Sequence, residues 1–223
     1  MSSSSTIELV HPSTMLVAGP TGSGKSQFVA RLLAERMFNK EFDKMYWHYR
    51  DWQPLFDEVR QRIQPQQLKF LQHLPDSFEH LDARENNLVI LDDLMTDAAS
   101  SQQVQNLFTV GSHHRNTTVI LITQNMFAQG VASRSISLNA HYIVIMKNPR
   151  DKLQIRTFAT QFAPGRTHFF TQAYENATMR PYSYLLVDCR PDTPEDYRVR
   201  TNIFRTDHPH GVIVYKPTTT RRQ

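Results

Sequence analysis

The chain has 223 residues and a formal net charge of +4, with 39% hydrophobic and 21% charged residues. This composition is that of an ordinary globular chain, long enough for one sizeable core and short for two. No apolar run approaches the roughly 18 residues of a membrane span, so no membrane partner is expected. The single cysteine, Cys189, excludes an internal disulfide, and the mild basic excess permits a polyanionic partner without requiring one.

The serine-rich start of the chain predicts a flexible N-terminal tail over residues 1–10, because it has neither the basic nor the apolar region of a secretory signal. Residues 11–223 are predicted to form a single domain. The region after Phe162 is either part of the sheet of that domain or a C-terminal appendage.

The first predicted element is a strand over residues 14–18, followed by a glycine-rich turn and by helical apolar spacing over residues 27–38. The turn reads Gly19-Pro-Thr-Gly-Ser-Gly-Lys-Ser26, a complete G-x-x-x-x-G-K-S phosphate loop. Its glycines let backbone N–H groups approach a phosphate, and the N-terminus of the next helix adds to the attraction of anions. We therefore expect ATP to bind to Gly19, Pro20, Thr21, Gly22, Ser23, Gly24, Lys25, Ser26 and Gln27.

The elements after this helix alternate between strands and helices. Strands are predicted over residues 44–48, 68–71, 87–91, 118–123 and 141–146, and helices over residues 54–63, 101–110, 151–162 and 168–177. Two late strands, over residues 182–187 and 197–204, are expected to form an antiparallel hairpin. This order predicts an α/β fold in which a mainly parallel sheet lies between helices. In the last strand, Arg198 and Arg200 predict a basic face that turns to solvent or to DNA.

Two carboxylates follow the buried strand at residues 87–91. Asp92 is predicted to bind Mg²⁺ together with the hydroxyl of Ser26, while Lys25 reaches the β- and γ-phosphates. Asp93 is placed to accept the proton of the attacking water. Taken alone, this pattern is typical of a strand that ends in a polar turn, and the phosphate loop is what favours catalysis.

Gln124 follows the next buried strand, at residues 118–123. In this position its amide is predicted to contact the γ-phosphate and the attacking water, and so to sense whether the γ-phosphate is present. The alternative is an ordinary glutamine of a Thr-Gln-Asn turn.

Four stretches together resemble the FtsK–HerA family of DNA-pumping ATPases, and most closely the genome-packaging ATPases of eukaryotic DNA viruses and Polinton-type elements. They are the phosphate loop, Leu91-Asp-Asp-Leu94, the run from Gly111 to Gln124, and the run from Arg134 to Val144. The resemblance covers residues 12–162. Many family members have Asp-Glu where this chain has two aspartates, which is a departure.

The resemblance implies a RecA-like core and a homo-oligomeric ring, a pentamer or a hexamer, that hydrolyses ATP and moves double-stranded DNA. It also implies a capsid or portal protein as a partner, and a location inside the host cell at the site of virus assembly. No helix-turn-helix, zinc finger or RNA-binding signature is present, so contacts to DNA are expected to be with phosphates.

In such a ring an arginine from the neighbouring subunit can neutralise charge on the transferring phosphoryl group. The candidates are Arg134, then Arg150, and more weakly Arg115, because Arg134 and Arg150 flank the predicted strand at residues 141–146. A solvated loop arginine is the alternative for each of them.

Two other functions share parts of this pattern. A helicase or DNA-transfer ATPase of a mobile element has the same site chemistry, and a nucleotide-binding switch or small-molecule kinase has the same phosphate loop. Asn148-Pro-Arg-Asp151 is similar to the guanine-reading N-K-x-D motif, but proline replaces its lysine, so a strand-to-helix turn is favoured.

Overall fold

The computed structural model describes residues 7–64, 66–94, 98–125, 131–207 and 211–217. Nine strands are present in this part of the chain: β1 Thr14–Ala18, β2 Lys44–Tyr49, β3 Leu68–Gln72, β4 Asn87–Asp92, β5 Thr117–Thr123, β6 Tyr142–Met146, β7 Tyr184–Asp188, β8 Val199–Thr201 and β9 Ile213–Tyr215. The α-helices are α1 Lys25–Ala34, α2 Pro54–Arg62, α3 Ala98–Asn106, α4 Ser112–His114, α5 Val131–Leu138, α6 Lys152–Phe162 and α7 Thr167–Ala177. A π-helical turn over Leu107–Gly111 joins α3 to α4, and a 3₁₀ turn over Glu195–Tyr197 precedes β8.

All nine strands lie in one sheet, in the order β3-β2-β4-β5-β1-β6-β7-β8-β9. The strands from β3 to β6 in this order are parallel, and β7, β8 and β9 extend the sheet in antiparallel fashion. The predicted α/β class, with a mainly parallel sheet and antiparallel late strands, is confirmed.

The central strands are buried on both faces, which is why they read as continuous apolar runs. In β1, Met15 and Val17 pack on the face that α1 and α2 cover, whereas Leu16 and Ala18 pack on the opposite face. Residues of α3, α5, α6 and α7 cover that second face. The layered packing holds the carboxyl ends of β1, β4 and β5 side by side.

The first helix is shorter than predicted. It ends at Ala34 rather than at residue 38, because Arg36 has a left-handed backbone with φ of 49°. Phe38 instead forms a parallel bridge with Leu9, which is fully buried. Leu9, which falls in the predicted tail at residues 1–10, is thus packed against the domain, and residues 1–6 lie outside the described part of the chain.

The last predicted strand differs most from the prediction. Only Val199–Thr201 is extended, and the expected basic face is wrong. Arg200 is buried and donates to Asp188 at 2.9 Å, and the Arg198 guanidinium donates to the Asp188 and Arg190 carbonyls. These arginines hold the chain between β7 and β8 together and are not turned to a partner.

No helix within the described ranges combines the length and the apolar character that a membrane crossing requires.

Candidate functional site

The phosphate loop connects β1 to α1 and has the backbone geometry that its glycines allow. Gly22 and Gly24 have φ of 76° and 94°, a left-handed region that side chains disfavour. A Cβ on Gly19 would lie 2.6 Å from the Cβ of Met146, so this position also requires glycine. The Gly19 amide donates to the Thr123 carbonyl at 3.2 Å, which fixes the loop to the end of β5.

Lys25 is the first residue of α1, and its side chain folds back over the loop. Its ammonium donates to the carbonyl oxygens of Gly19 at 2.8 Å and Pro20 at 3.0 Å. Burial lowers the pKa of Lys25, while the neighbouring carboxylates of Asp92 and Asp93 oppose that shift. A cation in this partly desolvated position attracts a phosphate more strongly than it would in water.

Ser26 and Asp92 meet beside this ammonium. The Ser26 hydroxyl donates to Asp92 Oδ2 at 2.9 Å, and the indole Nε1 of Trp47 donates to the same oxygen at 3.3 Å. Burial raises the pKa of Asp92, and the two hydrogen bonds and the charge of Lys25 oppose the rise. A hydroxyl and a carboxylate at this separation are both oxygen ligands of the kind that Mg²⁺ prefers, so the donor set fits that ion.

Asp93 and Gln124 form a second pair at the same edge of the sheet. The Gln124 amide donates to Asp93 Oδ2 at 3.0 Å. Asp93 has a left-handed backbone with φ of 57° and its amide donates to the Ile122 carbonyl, so β4 ends just before this residue. Because β5 lies between β1 and β4, Gln124 stands between the phosphate loop and the carboxylates.

The two arginine candidates lie in different places. Arg150 follows β6 and lines a cleft of about 690 Å³ together with Pro20, Ser23, Gln124 and Tyr182. Arg134 lies exposed on α5 and is not among the described residues that line this cleft. Within the described part of the chain, neither guanidinium makes a hydrogen bond or ion pair. The weaker candidate, Arg115, is tied to the Phe78 carbonyl by its guanidinium.

The motif at Asn148–Asp151 forms a strand-to-helix turn, as favoured from the sequence. Asp151 caps α6 by accepting from the Gln154 amide at 3.1 Å, and Asn148 accepts from the Arg150 amide. The side chains that would read guanine are thus bonded within the turn.

Two residues of the site were missed from the sequence. Trp47 reaches Asp92 because β2 pairs with β4, with Tyr49 opposite Asp92. Tyr182 lies on the loop after α7, 71% exposed, and borders the cleft beside the phosphate loop. The alternating pattern of β2 marks Trp47 only as a core residue, and no motif marks Tyr182.

No protein-family model matches the chain, and no curated protein matches it by sequence. Solved structures do match. B204, the DNA-packaging ATPase of Sulfolobus turreted icosahedral virus, is 12% identical, with a TM-score of 0.53 over 93% of this chain and 98% of that one. The genome-packaging NTPase B204 of Sulfolobus turreted icosahedral virus 2, in complex with AMPPCP, is 14% identical, with a TM-score of 0.51 over 92% and 98%.

The cytoplasmic domain of EssC is 15% identical, with a TM-score of 0.51. The match spans 92% of this chain and 40% of the EssC chain. At these identities the similarity establishes the fold. The chain has the fold of the P-loop ATPases.

Proposed function

We propose that this chain is an ATP hydrolase that drives the movement of double-stranded DNA, as the motor of viral genome packaging. The observation that carries the proposal is the meeting of three separate sequence segments at one edge of the sheet. Lys25, the bonded pair Ser26 and Asp92, and the bonded pair Asp93 and Gln124 lie around the end of β1.

In this proposal the phosphate loop binds the triphosphate, and Lys25 exchanges its carbonyl contacts for the β- and γ-phosphates. Ser26 and Asp92 would hold Mg²⁺, which would supply positive charge against the transferring phosphoryl group. Trp47 keeps the Asp92 carboxylate turned towards Ser26. Asp93 accepts the proton of the attacking water, and Gln124 orients that water beside it.

The DNA-moving part rests on three further supports. The packaging ATPases above share the fold over nearly the whole chain, the four stretches resemble the FtsK–HerA family, and the net charge of +4 suits a polyanion. We infer a homo-oligomeric ring in which Arg134 or Arg150 enters the site of a neighbour. A capsid or portal protein as partner, an intracellular site of assembly and a single domain over residues 11–223 belong to the same proposal.

The test is ATP hydrolysis measured with and without long duplex DNA of two unrelated sequences, over a series of salt concentrations. Stimulation by both duplexes is expected, with binding that falls steeply as salt rises because phosphate contacts release counterions. Lys25→Ala should show no hydrolysis with or without DNA. A hydrolysis rate that is the same with and without DNA would favour a nucleotide-binding switch or kinase. A strong preference for one duplex would exclude a motor that moves along any sequence.

A further inference from the structure

Tyr182 occupies a backbone conformation that a tyrosine rarely adopts. Its φ is 60°, in the left-handed region, where a bulky side chain is an outlier. The loop that carries it is fixed to the end of β6, because the Lys147 ammonium donates to the Met179 carbonyl at 2.7 Å and the Lys147 amide to the Ser183 carbonyl at 3.1 Å. Such strained residues cluster at ligand clamps.

The ring of Tyr182 stands over the first turn of α1. A Cβ on Gly24 would lie 3.3 Å from Tyr182 Cδ1 and 3.5 Å from its Cβ, so ring and phosphate loop are in close reach of each other. Yet 71% of Tyr182 is exposed, although a ring of this size normally gains from burial. The placement leaves a flat aromatic surface open to solvent beside the phosphate loop.

Tyr182 separates the cleft over the phosphate loop from a second hollow of about 350 Å³. Gly24, Gln27, Phe28, Arg31, Tyr182 and Tyr184 line this hollow, which is therefore largely aromatic. Its volume lies within the range of small-molecule sites, and it adjoins the phosphate loop at Gly24 and Gln27.

We propose that this hollow binds the base of the nucleotide, with the ring of Tyr182 stacked on a purine. The inference rests on the proposed function, since the phosphate loop must hold the triphosphate for the base to reach the hollow. Aromatic rings stack on the flat face of any base, and the larger purines cover more of the ring than pyrimidines do.

The polar groups of the hollow predict how the base is read. The Arg31 guanidinium is engaged by Asp207 and Thr206, each at 2.7 Å, and the Tyr184 hydroxyl donates to Asp207 and accepts from the Ile203 amide. Among the described side chains that line the hollow, the Gln27 amide and the Tyr182 hydroxyl can hydrogen-bond a base. Each can donate or accept, so neither distinguishes adenine from guanine. Recognition therefore depends on stacking, and ATP and GTP should bind within a few fold of each other and more tightly than CTP.

The experiment measures, by calorimetry, the affinities of the full chain for AMPPCP, its guanine and cytosine analogues, and inorganic tripolyphosphate. The variants are Tyr182→Ala, which removes the ring, and Tyr182→Phe, which keeps it. Tyr197→Ala is the matched control, because this tyrosine is also exposed, at 50%, but lies under the Lys216 ammonium and lines neither the cleft nor the hollow.

We expect Tyr182→Ala to weaken binding of the purine analogues by about 5- to 150-fold, the range that corresponds to one base–aromatic stack. Tripolyphosphate should bind to this variant as it does to the unaltered chain, and Tyr182→Phe and Tyr197→Ala should bind everything normally. The stacking site would be overturned if Tyr182→Ala bound the purine analogues as tightly as the unaltered chain does. It would also be overturned if this variant lost as much affinity for tripolyphosphate as for the purine analogues. If the unaltered chain binds neither tripolyphosphate nor nucleotide, the phosphate loop itself fails and the proposed function with it.

Discussion

The phosphate end of the site and its arginine-bearing side are built in opposite ways. At the phosphate end, Asp92 is only 4% exposed, and each proposed catalytic group is bonded to another group of the same chain. On the arginine side, Arg134 and Arg150 are exposed, and within the described residues their guanidinium groups have no partner. The phosphate end is therefore organised within one subunit. The arginine side leaves two positive charges available to a partner outside that subunit.

The largest effect is expected from Lys25→Ala. The variant removes the ammonium that is proposed to contact the β- and γ-phosphates, so nucleotide binding should weaken greatly and hydrolysis should disappear. Phosphate release and calorimetric ATP binding measure the two effects. Lys152→Ala, a change at an exposed lysine on α6, should leave both unchanged. Hydrolysis at the unaltered rate in Lys25→Ala would remove the basis of the account.

The arginine side should show its role only in assemblies. If Arg134 acts across the subunit boundary, Arg134→Ala should bind ATP normally and lose about 10³- to 10⁵-fold in hydrolysis rate, the range known for arginine fingers. Mixing it with Lys25→Ala subunits should restore part of the activity, because some mixed boundaries contain both intact halves.

The same mixing experiment with Arg150→Ala decides between the two candidates, and Arg156→Ala serves as a control for charge loss on the exposed side of α6. Since Arg150 lines the cleft of its own chain, failure of its variant to be rescued would place it in its own subunit's site. No recovery with either variant, with assembly confirmed by light scattering, would mean that the site is not shared.

A somewhat smaller effect is expected from Asp93→Asn. The variant should bind ATP with Mg²⁺ but hydrolyse it about 10²- to 10⁴-fold more slowly, because the positioned base is lost. Asp92→Ala should instead lose the Mg²⁺ dependence of binding. Calorimetry with and without Mg²⁺, together with single-turnover hydrolysis, separates the two acids. Normal turnover by Asp93→Asn would require a base elsewhere.

The smallest effect concerns Trp47, which acts through Asp92. Trp47→Phe keeps an aromatic ring in the core but removes the Nε1 donor, so the Mg²⁺ requirement of hydrolysis should rise by about 10- to 100-fold in concentration. Trp52→Phe is the matched control, since Trp52 donates to the exposed side of α2 at Asp57. An unchanged Mg²⁺ titration in Trp47→Phe would reduce Trp47 to a packing residue.

Features whose interacting residues lie close together in the sequence could be predicted from it. The phosphate loop and the strand-end acids are local features, because the spacing of Gly22, Gly24 and Lys25 fixes their geometry within one turn. The alternation of apolar runs was enough to predict the sheet. In both cases the signal lies within about ten residues of the feature.

Features that depend on distant partners were missed. The bond from Trp47 to Asp92 exists only because β2 pairs with β4, and the position of Tyr182 depends on contacts with Lys147. The basic face expected at Arg198 and Arg200 was wrong for the same reason, since buried Asp188 accepts hydrogen bonds from Arg200. The end of α1 before Arg36 depends on a left-handed residue that propensity does not mark.

If ATP hydrolysis at this site moves double-stranded DNA, as we propose, that movement should displace a triplex-forming strand from a duplex. The unaltered chain should release the third strand only with ATP and Mg²⁺, and with a delay that grows with the length of duplex between the loading end and the triplex. Asp93→Asn should bind ATP and release nothing. Strand release that is independent of ATP, or ATP hydrolysis at full rate without release at any duplex length, would contradict the claim.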